Sequence, residues 1–245
     1  SVTVKAEQGY TIDSVVIADS TGRSIPYTVE SGVYTFVMPS DRVAVTVAFI
    51  ADSDSSHQNC PSADFKDVTT ASWFHEAVDY VMEAGLFNGA SAVEFAPNKA
   101  MSRAMLVTVL YRLEGEPAVS GTAKFTDVAD GSYYEKAVAW ACANGIVNGC
   151  SNTEFRPDAG VTREQMAAIL YRYADYKEYD GSANGSLDQF SDASEVSSYA
   201  ADAMKWAVGE QLLSGVTAKT LVPQGYATRA QVATILMRFC ESIVK

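Results

Sequence analysis

The chain has 245 residues, 48% of them hydrophobic and 20% charged, with a formal net charge of −12. That is enough chain for one to three domains and a substantial core. The acidic balance argues against general nucleic-acid binding, yet a few local arginines could still hold a small anion. No apolar run approaches the roughly 18 residues of a membrane span, so no membrane insertion is expected.

Residues 1–50 read as strands. SVTVKA alternates, SVVIADSTGRSIPYTV has β-rich runs around a Ser-Thr-Gly turn, and ESGVYTFVMP and DRVAVTVAFI supply more. Ser31-Gly32 and Pro39-Ser40-Asp41 mark turns. A small antiparallel domain of four or five short strands fits. The chain opens inside an alternating run and reads as part of something longer, with a first strand missing. Residues 51–64, ADSDSSHQNCPSAD, read as a polar linker.

From Phe65 the pattern becomes helical and repeats. FKDV (65–68) recurs as FTDV (125–128) and FSDA (190–193), so the period is 60 and then 65 or 66 residues. An aromatic follows in each: Phe74, Tyr134, Tyr199. One extra residue is placed between Tyr199 and Ala203. Then come HEAVDYVMEAGLFNG, EKAVAWACANGIVNG and ADAMKWAVGEQLLSG, each a helix closed by a glycine-marked turn. Loops with Pro97, Pro157 and Pro223 precede a second helix. The repeats are expected at 65–120, 121–185 and 186–245.

The second helices are well specified. In GVTREQMAAILYRY, Thr162 is a good N-cap, Gln165 can close a capping box, and Val161 can staple onto Met166. Met166, Ile169, Leu170 and Tyr173 form one apolar face. Leu106, Val109, Leu110 and Leu113 match it, as do Val232, Ile235, Leu236 and Phe239. Ser102 and Thr228 are the matching caps. Gln231 can complete a box, but Met105 cannot. Two helices cannot bury both faces alone, so three units are expected to share one centre, with an open solenoid as the alternative.

Each cap is followed by an arginine: Arg103, Arg163, Arg229. A cation at the positive end of a helix is mildly unfavourable. Two readings compete. Each arginine could pair with an F-x-D acid of a neighbouring repeat, Asp67, Asp127 or Asp192. Alternatively, with the free N–H groups of the helix start, it could bind a carboxylate or phosphate. Among aromatics, Phe74, Tyr134 and Tyr199 read mainly as core, whereas Trp73 and Tyr133 are equally suited to stacking on a sugar. The four cysteines form no CxxC pair, and His57 and His75 do not make a metal pattern with them. Neither a Ser-His-Asp arrangement nor a nucleotide loop is present, and no acid pair stands out for glycoside hydrolysis. The chain therefore reads as no enzyme, with no cofactor.

F-x-D, the glycine-marked turn, the F-x-P loop and S/T-R-x-x together resemble three tandem S-layer homology domains over residues 65–243. The resemblance implies a pseudo-threefold, three-prong helical spindle with the second helices central, and hence a mixed fold once the β domain is added. It implies a monomer at the bacterial cell surface, secreted and attached to the wall. Grooves between prongs would bind a secondary cell-wall polysaccharide, often pyruvylated, and a structural or self-assembling segment with degenerate grooves is the alternative. The family's T-R-A-E arginine falls on Arg103, Arg163 and Arg229. Its final Glu is replaced by Met105, Gln165 and Gln231. The glycine segment is best kept at Gly145 to Gly149, while in repeat three it has become EQLLSG, Glu210 to Gly215, with no first glycine. Repeat two is thus the expected centre of binding, with Arg163, Gly145, Gly149, Asp127, Trp73 and Tyr133 as candidate ligand residues beside Arg103 and Arg229. A closed ring would bring Cys60 near Cys240 for a disulfide, and Cys142 and Cys150 flank one turn and could pair as well. GYTIDSVVIADSTG and GVYTFVMPSDRVAVTVAF resemble a small β-repeat of large bacterial surface proteins, implying a spacer.

Overall fold

A computed structural model describes residues 1–5, 10–21, 23–30, 32–51, 60–122 and 124–244. Most of the polar stretch 51–64, with His57, and the turn residues Gly22 and Ser31 lie outside the described residues. The chain divides into two compact units, Ser1–Cys60 and Pro61–Lys245.

The first unit is antiparallel β. Strands β1 (Val2–Thr3), β4 (Val33–Phe36) and β3 (Tyr27–Glu30) form one sheet in that order, and β2 (Tyr10–Asp19) pairs with β5 (Val43–Ala51) in another. Val43, Val45 and Val47 turn inward while Ala44 and Thr46 face solvent, the alternation of a half-buried strand. The core is thin: Val4, Val15, Ile17 and Tyr34, with partly buried valines and isoleucines around them.

Among the described residues the second unit holds six α-helices in three pairs. They are α1 (His75–Glu83), α2 (Arg103–Leu113), α3 (Glu135–Ala143), α4 (Arg163–Tyr176), α5 (Ala201–Gly209) and α6 (Arg229–Ser242). The first helix of each pair packs not on its own partner but on the second helix of the preceding repeat: α3 on α2, α5 on α4, and α1 on α6. The last of these contacts joins the end of the helical unit to its own start and makes the set a closed ring rather than a solenoid. The apolar faces read from the sequence are inside: Met166, Ile169, Leu170 and Tyr173 are buried, as are Val232, Ile235, Leu236 and Phe239. All three repeats contribute to one continuous core, and Tyr173 of α4 meets Phe239 of α6 at 5.8 Å between ring centroids.

A cycle of backbone hydrogen bonds closes the same ring. Met101 N donates to Ala227 O, Ala227 N to Val161 O, and Val161 N to Met101 O, each at 2.9 Å. The caps behave as their residue types dictate. Thr162 and Thr228 form complete capping boxes with Gln165 and Gln231, while Ser102 caps Met105 N with no returning bond.

The expected disulfides are not formed: Cys60, Cys142, Cys150 and Cys240 are all thiols. Ring closure does not decide pairing, because the local partners differ. Cys240 is engaged by the Tyr80 phenol, and Cys150 Sγ donates to Phe155 O at 3.5 Å. Burial pushes the Cys142 and Cys240 thiols up.

Candidate functional site: three grooves between repeats

The arginine after each cap is buried, at 7% exposure for Arg103, 4% for Arg163 and 3% for Arg229. Each reaches the loop of the next repeat around the ring. Arg103 Nε donates to Phe155 O at 2.9 Å and its Nη2 to Asn148 O at 3.0 Å. Arg163 does the same to Leu221 O and Ser214 O, at 2.8 and 2.7 Å. Arg229 closes the ring with Phe95 O and Asn88 O, also at 2.8 and 2.7 Å. Arg103 and Arg229 lie over the rings of Phe155 and Phe95, at 4.7 and 4.5 Å from the centroids.

The F-x-D acids grip the same loops from the other side. Asp127 accepts from Phe155 N and Arg156 N, at 2.8 and 2.7 Å. Asp67 holds Phe95 N and Ala96 N, and Asp192 holds Leu221 N and Val222 N, at the same distances. One peptide in each repeat is therefore clamped between an acid of its own repeat and an arginine of the preceding one. The clamp fixes an unusual backbone: Ala96, Arg156 and Val222 sit at φ of 58°, 58° and 52°. That region is costly for any residue with a Cβ and most of all for the β-branched Val222. Burial lowers the pKa of Arg163 and Arg229, and Asp192 and Asp67 offset this in turn.

The helix starts are not open anion sites. Arg103 N and Ala104 N donate to Ala159 O and Pro157 O of the next repeat, and the matching bonds recur at Arg163 and Glu164 and at Arg229 and Ala230. The third N–H is taken by the cap hydroxyl. The free N–H groups expected at these helix starts are thus consumed by packing.

Beside each arginine lies a groove. The Arg103 groove, about 360 Å³, is lined by the Val147–Cys150 turn of repeat two, by Gln165 and Arg172 of α4, and by Tyr199 of repeat three. The Arg163 groove, about 380 Å³, has the Leu212–Val216 turn, Gln231 and Arg238 of α6, and Trp73 of repeat one. The Arg229 groove, about 400 Å³, has the Leu86–Ala90 turn, Met105 and Arg112 of α2, and Tyr133 of repeat two. Each groove takes a part from all three repeats, by cyclic permutation. The aromatics are well exposed: Trp73 at 68%, Tyr133 at 65% and Tyr199 at 53%.

This arrangement splits the sequence-derived site. Arg163 lies with Trp73, Arg229 with Tyr133, and Arg103 with Gly149. Arg163 does not share a groove with Gly145 and Gly149, because each arginine serves the turn of the following repeat. By the same token Met105, three residues into the helix, does not line the Arg103 groove; it lines the Arg229 groove. Asp127 spends both oxygens on the loop clamp. Gly145 ends α3 at φ +71° with open space where a Cβ would go, and Gln211 adopts the same left-handed conformation at φ 58°, so repeat three keeps the turn without the glycine. Gly149 is different: a Cβ would stand 2.3 Å from Ser151 O and 2.4 Å from Phe125 Cε1. Gly89 and Gly215 meet the same obstruction.

Two sets of groove residues escaped the sequence reading. Tyr199 is not the counterpart of Phe74 and Tyr134. Buried Ala200 is the residue before α5, as Phe74 and Tyr134 are before α1 and α3, so Tyr199 matches Trp73 and Tyr133. The extra residue therefore precedes Tyr199, in the stretch of 3-10 turns at Ala193–Glu195 and Ser198–Ala200. Counting back from Ala203 would have found it. The second set is Arg112, Arg172 and Arg238, nine residues after each cap arginine and visible in YRL, YRY and MRF.

Residues 64–104, 124–167 and 189–233 each match the S-layer homology domain family, together more than half of the chain. The chain belongs to the S-layer homology family. Among curated relatives, a surface-layer 125 kDa protein of Lysinibacillus sphaericus is 34% identical over 174 residues, 69% of this chain and 14% of that protein. An endoglucanase of a Bacillus species is 31% identical over 187 residues, 76% of this chain and 20% of its own length. A cellulosome-anchoring protein of Acetivibrio thermocellus is 32% identical over 146 residues, 58% of this chain and 32% of the relative. The chain thus spans less than a third of each of these relatives. S-layer homology repeats are a non-catalytic anchoring module of the cell wall, and the chain is an extracellular, wall-associated one. Among the described residues no helix is long and apolar enough to cross a membrane.

Proposed function

We propose that the chain anchors its parent protein by binding an acidic, pyruvylated secondary cell-wall polysaccharide in its inter-repeat grooves, and that it works as a monomer. The observation that carries this is the thrice-built groove. Each places a buried arginine, a second arginine at the rim, a glycine turn that brings backbone close, and an exposed aromatic around one depression. Exposed aromatic faces suit sugar rings. Arginines in a chain of net charge −12 supply local anion affinity that the overall field does not. Each cap arginine spends Nε and Nη2 on the neighbouring loop, which leaves Nη1 without a bond to any described residue. Candidate ligand residues are Arg103, Arg163, Arg229, Trp73, Tyr133, Tyr199 and the Gly149 turn.

Among relatives, an endoglucanase, an amylopullulanase and a cellulosome-anchoring protein share this portion while differing in name. That supports attachment as the shared role. The β unit then acts as a spacer. A self-assembling segment with a degenerate groove is favoured at the Arg229 groove alone, where Met105 stands in place of a glutamine.

The test is co-sedimentation with wall sacculi that keep their secondary polysaccharide, against sacculi stripped of it and sacculi from which pyruvyl groups are removed. Saturable retention on the first only is expected. Equal retention on all three would refute glycan recognition.

A further inference from the structure

We propose that the three grooves are chemically unequal and that the Arg103 groove is the principal acidic-sugar site, with Arg172 its anion-binding residue and Glu164 a positioning residue that fixes Tyr199 as its wall. This rests on the glycan reading above.

The rim arginines differ in what they already hold. Arg112 Nη1 donates to Leu86 O at 3.0 Å and faces Glu116 at 3.9 Å. Arg238 Nη1 donates to Gln211 O at 3.3 Å. Arg172 makes no hydrogen bond or ion pair with any described residue, and it is half-buried on the groove wall. A guanidinium in that state keeps its whole fork of donors for a carboxylate. The other two must release a protein partner before they can bind in the same way. Gln165, on the same wall, uses its Oε1 to accept from Thr162 N, and its NH₂ remains a donor.

The aromatic wall of this groove is also built differently. Glu164 follows Arg163 where the other repeats have Ala104 and Ala230. It is a carboxylate at 2% exposure, a costly placement unless its oxygens are satisfied. They are satisfied by one short turn: Ser197 N at 2.9 Å, Ser197 Oγ at 2.8 Å and the Tyr199 hydroxyl at 3.0 Å. The acid of repeat two thus holds the aromatic of repeat three against a groove whose first arginine comes from repeat one. Trp73 and Tyr133 have alanine at the matching position, so neither has a carboxylate anchor, and among the described residues the Tyr133 hydroxyl has only the Ser102 hydroxyl as a side-chain partner. A wall residue fixed before binding loses less freedom when the sugar arrives.

The test titrates the full chain with a methyl glycoside carrying a pyruvate ketal and with its neutral methyl ester. Arg172→Gln is expected to weaken binding of the acid about tenfold or more, the scale of a charge-assisted hydrogen bond, and to leave the ester unchanged. Arg172→Lys recovers part of the loss. Arg112→Gln and Arg238→Gln shift it by less than about twofold, because each guanidinium is already held by a backbone carbonyl and the stronger site is left intact. Glu164→Gln and Tyr199→Phe each weaken binding, and the double variant is no worse than either single one. Burial and then the Glu164 carboxylate hold the Tyr199 phenol up at about 12, so Glu164→Gln also brings it down, a direct report that the acid faces this hydroxyl. An unaffected Arg172→Gln variant, equal losses at all three rim arginines, additive losses at Glu164 and Tyr199, or no binding of the acid form overturns the assignment. Retention on glycan-bearing sacculi that survives Arg172→Gln sinks only this inference. Failure of the native chain to bind those sacculi sinks the glycan reading itself.

Discussion

The cap arginine links neighbouring repeats, and the proposed glycan reading gives it a second purpose. The structural alternative read from the sequence was a salt bridge to an F-x-D acid of a neighbouring repeat. The actual link is a peptide held by both, as in Phe95–Ala96, where Asp67 accepts from the Ala96 N–H and Arg229 donates to the Phe95 carbonyl. A purely apolar replacement therefore loses more than a ligand contact. Arg229→Ala removes two charge-assisted bonds and the stacking on Phe95 and Phe87, and it leaves Phe95 O and Asn88 O without their partner. A loss of about 2–4 kcal/mol in unfolding free energy is expected in urea melts, and Arg229→Lys should recover part of it. Wall-binding losses in arginine-to-alanine variants must accordingly be compared with their stability. The sequence could show that these arginines recur, but not that each faces the repeat after its own. That direction is set by ring packing, in which a second helix meets the next repeat's first helix.

At the scale of the element, the Asp-clamped loop is where local and tertiary forces meet. Ala96, Arg156 and Val222 take a left-handed conformation that their own side chains disfavour, and the carboxylate bonds hold it. Burial raises the Asp127 pKa, but the bonds from Phe155 and Arg156 outweigh it and the net shift is downward. The bond from Leu221 leads the downward shift at Asp192. A folded pKa below the unfolded value near 4 stabilises the protein above about pH 4, and that stability is lost as pH falls through the depressed folded values. Acid unfolding followed by circular dichroism should therefore set in below about pH 4, and Asp127→Asn should flatten the acid limb while lowering stability at neutral pH. Helix caps were legible because each depends on residues three apart: Thr162 with Gln165, Thr228 with Gln231. The placement of Tyr199 was not, because a one-residue insertion falls in 3-10 turns with no apolar periodicity to register it. Disulfides were misread because ring closure says which helices meet, not which side chains face each other.

The whole helical unit is an interlocked ring, and the helix starts show why. The first N–H groups of α2, α4 and α6 donate to loops of the following repeat, with α6 donating to the loop of repeat one. No repeat can satisfy its second helix alone. Removal of residues 186–245 leaves α4 without its loop partners and α1 without α6, so the shortened chain should lose its cooperative thermal transition. Residues 61–245 of the intact chain should melt in one step. A closed ring against an open solenoid could not be decided from three repeats, since either buries the same apolar faces. The contact of α1 with α6 decides it. The same closure makes every groove a composite of three repeats. The most direct measurement is NMR of the labelled chain titrated with wall glycan. Shifts are expected at side chains drawn from all three repeats within one groove, led by Arg103, Arg172 and Tyr199. Shifts confined to a single repeat, or lying in the β unit, would rule out a composite groove as the binding site.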